Sequence, residues 1–213
     1  MIVSEMLDMM ALLSVGADTL TPATQAIFLK YLNLANKWLY AETASLNPDL
    51  LVNESITTET GAESVDLAEE PFSVSKVYVD DFYSALELKF FLDFLDLKRN
   101  MRLSGRPQFF TFRKKELSFY PVETGKQYTL DIWYVPPVST LESDTGEDGI
   151  PLPVAFHPVL VDSALYYLFL DEEGFKETRK AQDAKERAQK GKDRLVAYLY
   201  ANTRQTISTF SNA

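Results

Sequence analysis

The chain has 213 residues, 46% hydrophobic, 13% aromatic and 24% charged, enough apolar material to bury a core as one domain or two small ones, which excludes a disordered, collagenous or membrane-spanning chain. Lys and Arg total 21 against 31 Asp and Glu, a formal charge of −10, and a surface of that sign repels bulk nucleic acid and anionic membrane. The lack of cysteine removes disulfides, thiolate metal sites and thiol nucleophiles, and a single histidine removes multi-histidine metal sites.

The N-terminal stretch Met1 to Asp8 is acidic where a secretory leader would be basic, and the apolar run Met9 to Val15 is too short to span a bilayer. The expectation is a chain that stays in the cytoplasm where it is made. Met6, Met9, Met10 and Leu13 recur at helical spacing, which predicts a helix over 2–14 that stops at Gly16. A second helix opens with Thr21 as N-cap and Pro22 at the first helical position, where a missing amide hydrogen costs nothing. Ile27, Tyr31, Leu34 and Trp38 form one apolar row and Phe28, Leu32, Ala35 and Leu39 the next, until Asn47-Pro48 ends the pattern.

From Leu51 to Glu70 the helical period vanishes. Glu54, Glu59, Glu63, Asp66, Glu69 and Glu70 occur there without one Lys or Arg, which predicts a weak strand and a mobile acidic loop. Val74, Val77 and Val79 predict extended chain, and Leu88, Phe91, Leu92 and Leu95 predict a helix over 82–97. Ser104-Gly105-Arg106-Pro107 is a turn into the strand Gln108 to Arg113. Lys114-Lys115 connects it to Glu116 to Pro121, and Glu123 to Lys126 connects that to Gln127 to Val135. Three strands with short turns predict an antiparallel β-meander. On the last strand Tyr128, Leu130, Ile132 and Tyr134 share one face, and Thr129, Asp131 and Trp133 the other.

Pro136 to Pro153 is a proline-bounded loop with an acidic centre, Glu142 to Gly149. Phe156-His157-Pro158 opens a helix with Leu160, Ala164, Tyr167, Leu168 and Phe169 on its apolar face and Gly174 at its end or at a bend. The last helix runs to about Tyr200. Between Lys176 and Arg194 it carries eight basic and four acidic residues on a thin seam of Ala181, Ala184 and Ala188. Residues 201–213 are polar and β-branched, a tail expected to be free or docked on a partner. The fold class is therefore α+β: a helical bundle (1–50 and 154–200) with an inserted β-rich region (51–153) and a docking tail (201–213).

No motif anchors catalytic or cofactor chemistry, and with 31 acids the accidental carboxylate pairs that a glycosidase would use carry no signal. Gly125-Lys126 lacks the glycine five positions earlier and the following Ser or Thr of a phosphate loop. His157, the one candidate imidazole base, sits before Pro158 at a helix start, which favours capping or packing. The carboxylate loop Glu142 to Asp148 lacks the alternating pattern of a calcium loop. Phe109, Phe110, Phe112, Phe119, Tyr120, Trp133 and Tyr134 could form a stacking platform, but only Arg113, Lys114, Lys115 and Lys126 lie nearby, so core and a protein interface are the favoured uses.

The order of elements over residues 20–200 resembles the head-to-tail adaptor (connector) proteins of tailed bacteriophages. It runs from N-terminal helices through Gly105-Arg106-Pro107 into an aromatic strand, Leu117 to Pro121 and Tyr128-Thr129-Leu130-Asp131-Ile132-Trp133-Tyr134. A loop, Ile150-Pro151-Leu152-Pro153 and a helix from Phe156 to Tyr167 follow. The resemblance implies a structural virion protein at the neck, without enzymatic activity or cofactor, assembled in the host bacterial cytoplasm. Copies would form a ring, commonly twelve-fold, beneath the portal protein, joined to a tail or stopper protein and passed by DNA without sequence-specific binding or membrane contact. Arg204, Thr206, Ile207, Thr209 and Phe210 would dock on the portal, as an added strand for instance. The long acidic segment Asn53 to Glu70 and the extended sheet depart from the shorter adaptors.

Residues 42–97 hold thirteen acids against Lys76 and Lys89, while the last helix is basic. That asymmetry could pair neighbouring copies through Lys185, Arg187 and Lys190. Two alternatives stand beside this reading: another neck or tail-completion protein of the same particle, and a carbohydrate-binding module or small carboxylate-dependent hydrolase.

Overall fold

The computed structural model describes residues 1–16, 20–80, 84–101, 103–171 and 177–210, with the backbone alone at Val15 and over 203–210. Its helices are α1 (Val3–Val15), α2 (Pro22–Thr43), α3 (Phe91–Asn100), α4 (His157–Leu170) and α5 (Thr178–Phe210). Its strands are β1 (Val52–Thr57), β2 (Ser64–Asp66), β3 (Ser73–Val79), β4 (Glu87–Leu88), β5 (Phe109–Arg113), β6 (Glu116–Tyr120) and β7 (Thr129–Val135). The fold is α+β. The chain divides into two compact units, a helical one (Met1–Pro48 with Val138–Ala213) and a β-rich one (Asp49–Pro137).

In the helical unit the local signals act as their chemistry requires. Gly16 ends α1 with φ 64°, a left-handed conformation that costs glycine nothing. Thr21 Oγ1 accepts the Thr24 amide at 3.2 Å, and Pro22 stands at the start of α2. Of the two apolar rows on α2, the row Phe28, Leu32, Ala35 and Leu39 is fully buried. In the other row Tyr31 is buried, but Ile27 and Leu34 are exposed, so the stripe is narrower than both rows together.

Helix α4 packs against α1, α2 and α5. It buries Val159, Leu160, Val161, Ala164, Leu165, Leu168 and Phe169, so it is the centre of this core. On α5 the small seam is real: Ala181, Ala184 and Ala188 are buried, and Leu195 and Leu199 continue the row. The seam allows close approach, since a Cβ added at Gly191 would lie 2.6 Å from Val159 Cγ2. The helix does not stop near Tyr200. It continues to Phe210, because no Gly or Pro follows Gly191 to break it. Gly174, expected to end α4, and Lys176, the expected start of the basic stretch, lie outside the described residues.

The proline-bounded loop belongs to this helical core, where Leu141, Ile150 and Leu152 are buried. Asn33 of α2 holds it like a paired strand. Its Nδ2 donates to the Leu141 carbonyl at 2.9 Å and its Oδ1 accepts the Leu141 amide at 2.7 Å. Asn36 Nδ2 donates to the Ser139 carbonyl at 3.1 Å.

The β-rich unit holds two sheets, of order β1-β7-β3 and β2-β6-β5-β4. All pairs are antiparallel except β4 with β5. The alternation on β7 is borne out: Tyr128, Leu130, Ile132 and Tyr134 are buried while Trp133 is exposed. The meander is corrected. The hairpin β5-β6 forms, with Lys114 at φ 56°, but β7 leaves it and becomes the centre of the other sheet. The eight residues 121–128 are too long to impose hairpin register on β7. Placing its apolar row against Phe110, Leu117 and Phe119 buries both sheets' inner faces in one core, which a single flat sheet could not do.

Two further expectations are corrected. Residues 51–70 hold two strands, β1 and β2, where one strand and a loop were predicted, and Val65 anchors β2 in the core. Helix α3 begins at Phe91, not in the region of Phe82, which lies outside the described residues. Leu88 belongs to β4, where Glu87 N donates to Gln108 O and Lys89 N to Phe110 O, both at 2.8 Å. Those bonds satisfy an extended backbone that helical spacing alone does not see.

Candidate interaction surfaces

Among its described residues, helix α5 buries a narrow row and leaves most of its charged side chains exposed, so these decide what that surface can do. They are partly committed within the chain. Arg187 Nε donates to Asp162 Oδ1 at 2.7 Å. Lys192 Nζ lies 3.2 Å from Glu42 Oε2 and 5.1 Å from the centre of the Trp38 ring. Lys180 pairs with Glu177 at 2.8 Å and stands 5.6 Å from the Phe169 ring centre. Of the three residues expected to pair neighbouring copies, Lys185 lies 5.7 Å from the Tyr166 ring centre, Arg187 is held by Asp162, and Lys190 is exposed without an ion pair among the described residues.

Two clefts flank α5. One, of about 190 Å³, is lined by Trp38, Ser163, Tyr166, Tyr167 and Lys185, and burial raises the Tyr167 phenol above its ordinary pKa. The other, of about 350 Å³, lies at the start of α4 between Phe156, Val159 and Asp162 on one side and Arg187, Lys190 and Arg194 on the other. The expected portal-docking residues Arg204, Thr206, Ile207, Thr209 and Phe210 are on the helical continuation of α5. Their side chains lie outside the described residues, as does the rest of the expected tail, 211–213.

His157 does what its position favours. The ring is fully buried, with Nδ1 2.8 Å from Met1 O and Nε2 3.0 Å from Leu152 O, so it ties the N-terminal segment and the proline-bounded loop to the start of α4. Among the described residues no cluster of acids and histidine has the arrangement to hold a metal ion. Glu147 instead accepts from the Met1 amine, and that hydrogen bond, with the charge of the amine, holds its carboxyl below the ordinary carboxylate range.

Most of the sheet aromatics are core: Phe110, Phe119, Tyr120, Tyr128 and Tyr134 are buried, Phe109 and Phe112 are partly buried and Trp133 is exposed, and Phe119 meets Tyr128 edge to face at 6.3 Å. A surface the sequence reading missed lies in the same unit. Phe90 is 84% and Leu92 73% exposed, with Leu88 and Met101 half exposed, while only Phe94 of α3 is buried. Three consecutive apolar residues, Phe90-Phe91-Leu92, cannot share one helical face, and that was the available signal.

The SU10 adaptor protein family model matches residues 1–210. The chain belongs to this family. No curated protein matches it. As an SU10 adaptor it is a bacteriophage structural protein, a virion component that contacts other head or tail proteins. The resemblance in element order thus led to the right family. No described helix is long and apolar enough to cross a membrane. On the helical unit α5 is flanked by the two clefts, and on the β-rich unit Leu88, Phe90, Leu92 and Met101 form an exposed apolar patch.

Proposed function

We propose that this SU10 adaptor forms a ring beneath the portal protein at the capsid vertex, joins head to tail, and extends the channel through which DNA passes. The observation that carries the reading is the family match over residues 1–210. Two features support it. Among its described residues, α5 buries the row Ala181, Ala184, Ala188, Leu195 and Leu199 and leaves most of its charged side chains exposed, a surface available to other chains. A chain of net charge −10 suits a channel wall, because each phosphate contact avoided lets DNA slide. A ring of commonly twelve copies follows from the adaptor resemblance, with a tail or stopper protein on the far side.

In this reading the end of α5, with Arg204, Thr206, Ile207, Thr209 and Phe210, docks on the portal, while Lys185, Arg187 and Lys190 contribute charge contacts between copies. Deleting residues 201–213 tests the docking arm. Portal affinity should fall by at least about tenfold, a loss of about 1.4 kcal/mol. Unchanged affinity would remove this segment from the mechanism.

A further inference from the structure

The cleft at the start of α4 has a surplus of positive charge that no acid among the described residues neutralises. Arg187 is paired with Asp162, but Lys190 and Arg194, both exposed, make no ion pair among the described residues. The first turn of α4 adds the positive dipole end of a helix 14 residues long. The floor, Phe156 and Val159, is apolar. Such a cleft selects a carboxylate-bearing segment of protein.

The same unit presents one. In the loop 142–148 the side chains of Glu142, Asp144 and Asp148 are exposed and unpaired among the described residues. The loop is held in shape, so docking it orders little. Leu141 and Ile150 anchor its ends in the core, Thr145 Oγ1 accepts the Glu142 amide at 2.8 Å, and Thr145 O accepts the Val3 amide at 3.2 Å.

A chain's own loop stands on the wrong side to fill its own cleft. His157 faces the N-terminal segment, whose Met1 also binds Glu147 of the loop. The α4 residues that line the cleft, Pro158, Val159 and Asp162, lie about 100°, about 200° and about 140° further around the helix. Knob and socket therefore occupy different faces of one unit, the arrangement of a heterologous, head-to-tail contact. We propose that the cleft formed by Asp162, Arg187, Lys190 and Arg194 receives the acidic loop 142–148 of a second copy of this chain. The proposal rests on the ring reading and names the faces that meet in it.

The test is a charge swap in the full chain, read as native mass with and without portal protein. One variant reverses the cleft (Lys190→Glu, Arg194→Glu) and the other reverses the loop (Glu142→Lys, Asp144→Lys, Asp148→Lys). All five positions are exposed, and matching circular dichroism spectra confirm that both variants are folded. Each variant alone should need about 100-fold more protein to assemble, since like charges then meet at every contact. An equal mixture should regain the wild-type threshold, because strict alternation restores opposite charges at every contact. Assembly that survives either reversal, or that the mixture does not rescue, overturns this contact while leaving the ring standing. Loss of DNA retention without loss of assembly in the cleft variant overturns it in favour of phosphate as the occupant. A wild-type chain that stays monomeric with and without portal overturns both the contact and the ring.

Discussion

Helices α4 and α5 lie side by side in the helical unit, yet they are built on opposite plans. Nearly every side chain of α4 from His157 to Phe169 meets the core, and its sequence is apolar around most of its circumference. Helix α5 is more than twice as long, 33 residues against 14, and touches the core through Ala181, Ala184, Ala188, Leu195 and Leu199. The difference separates two kinds of information. What α4 encodes is the fold. What α5 encodes beyond the row it packs against α4 is a charged, exposed surface.

The comparison breaks most sharply at the centre of α4. Leu165→Ala should lower unfolding free energy by about 3 kcal/mol, seen as a lower urea midpoint, because it removes a fully buried side chain from a close-packed site. Asn33→Ala should cost about 2 kcal/mol and loosen the loop, since both hydrogen bonds to Leu141 go at once. Hydrogen exchange at the Leu141 amide would report the loosening. On the seam, Gly191→Ala gains helix propensity but drives a Cβ to 2.6 Å from stiff, β-branched Val159. A net loss of about 1 kcal/mol is expected, and Val159→Ala in the same chain should relieve the clash as positive coupling in a double-mutant cycle. On the wet face, Lys190→Ala should change monomer stability by less than about 0.5 kcal/mol, because the side chain is exposed and makes no ion pair among the described residues. A larger loss there would mean that α5 is a core helix after all.

How much of this was legible follows the same division. Thr21-Pro22, Gly16, the alanine seam and the alternation on β7 announce themselves because each is a local rule: a cap, a stop, a spacing, a period of two. The partner of β7 is not local. Both Leu130 and Phe119 read as buried strand residues, and only the tertiary core says that they face each other across two sheets. The run Thr203 to Phe210 reads as a tail because its β-branched residues are poor helix formers, yet no breaker stops α5, so propagation carries the helix through. The cleft at the start of α4 was out of reach for a third reason. Asp162 and Arg187 stand 25 positions apart, and no spacing rule links them.

The β-rich unit offers the smallest and most specific probe. Burial, then the charges of Glu54 and Glu69, raise the Tyr134 phenol above its ordinary pKa of 10.0, and the hydroxyl donates to Glu54 at 3.3 Å. A raised folded-state value stabilises the protonated form, so this contribution is intact below pH 10 and is lost as pH climbs through the raised value. Tyr134→Phe should therefore lose less stability than the wild-type chain above pH 10, as followed by urea unfolding at a series of alkaline pH values.

The measurement that bears most directly on the adaptor assignment as a working assembly is the native mass of the chain alone and after mixing with the portal protein encoded beside it. The account predicts one saturating complex whose copy number matches the symmetry of the portal. A chain that remains monomeric and leaves the portal unbound would contradict it.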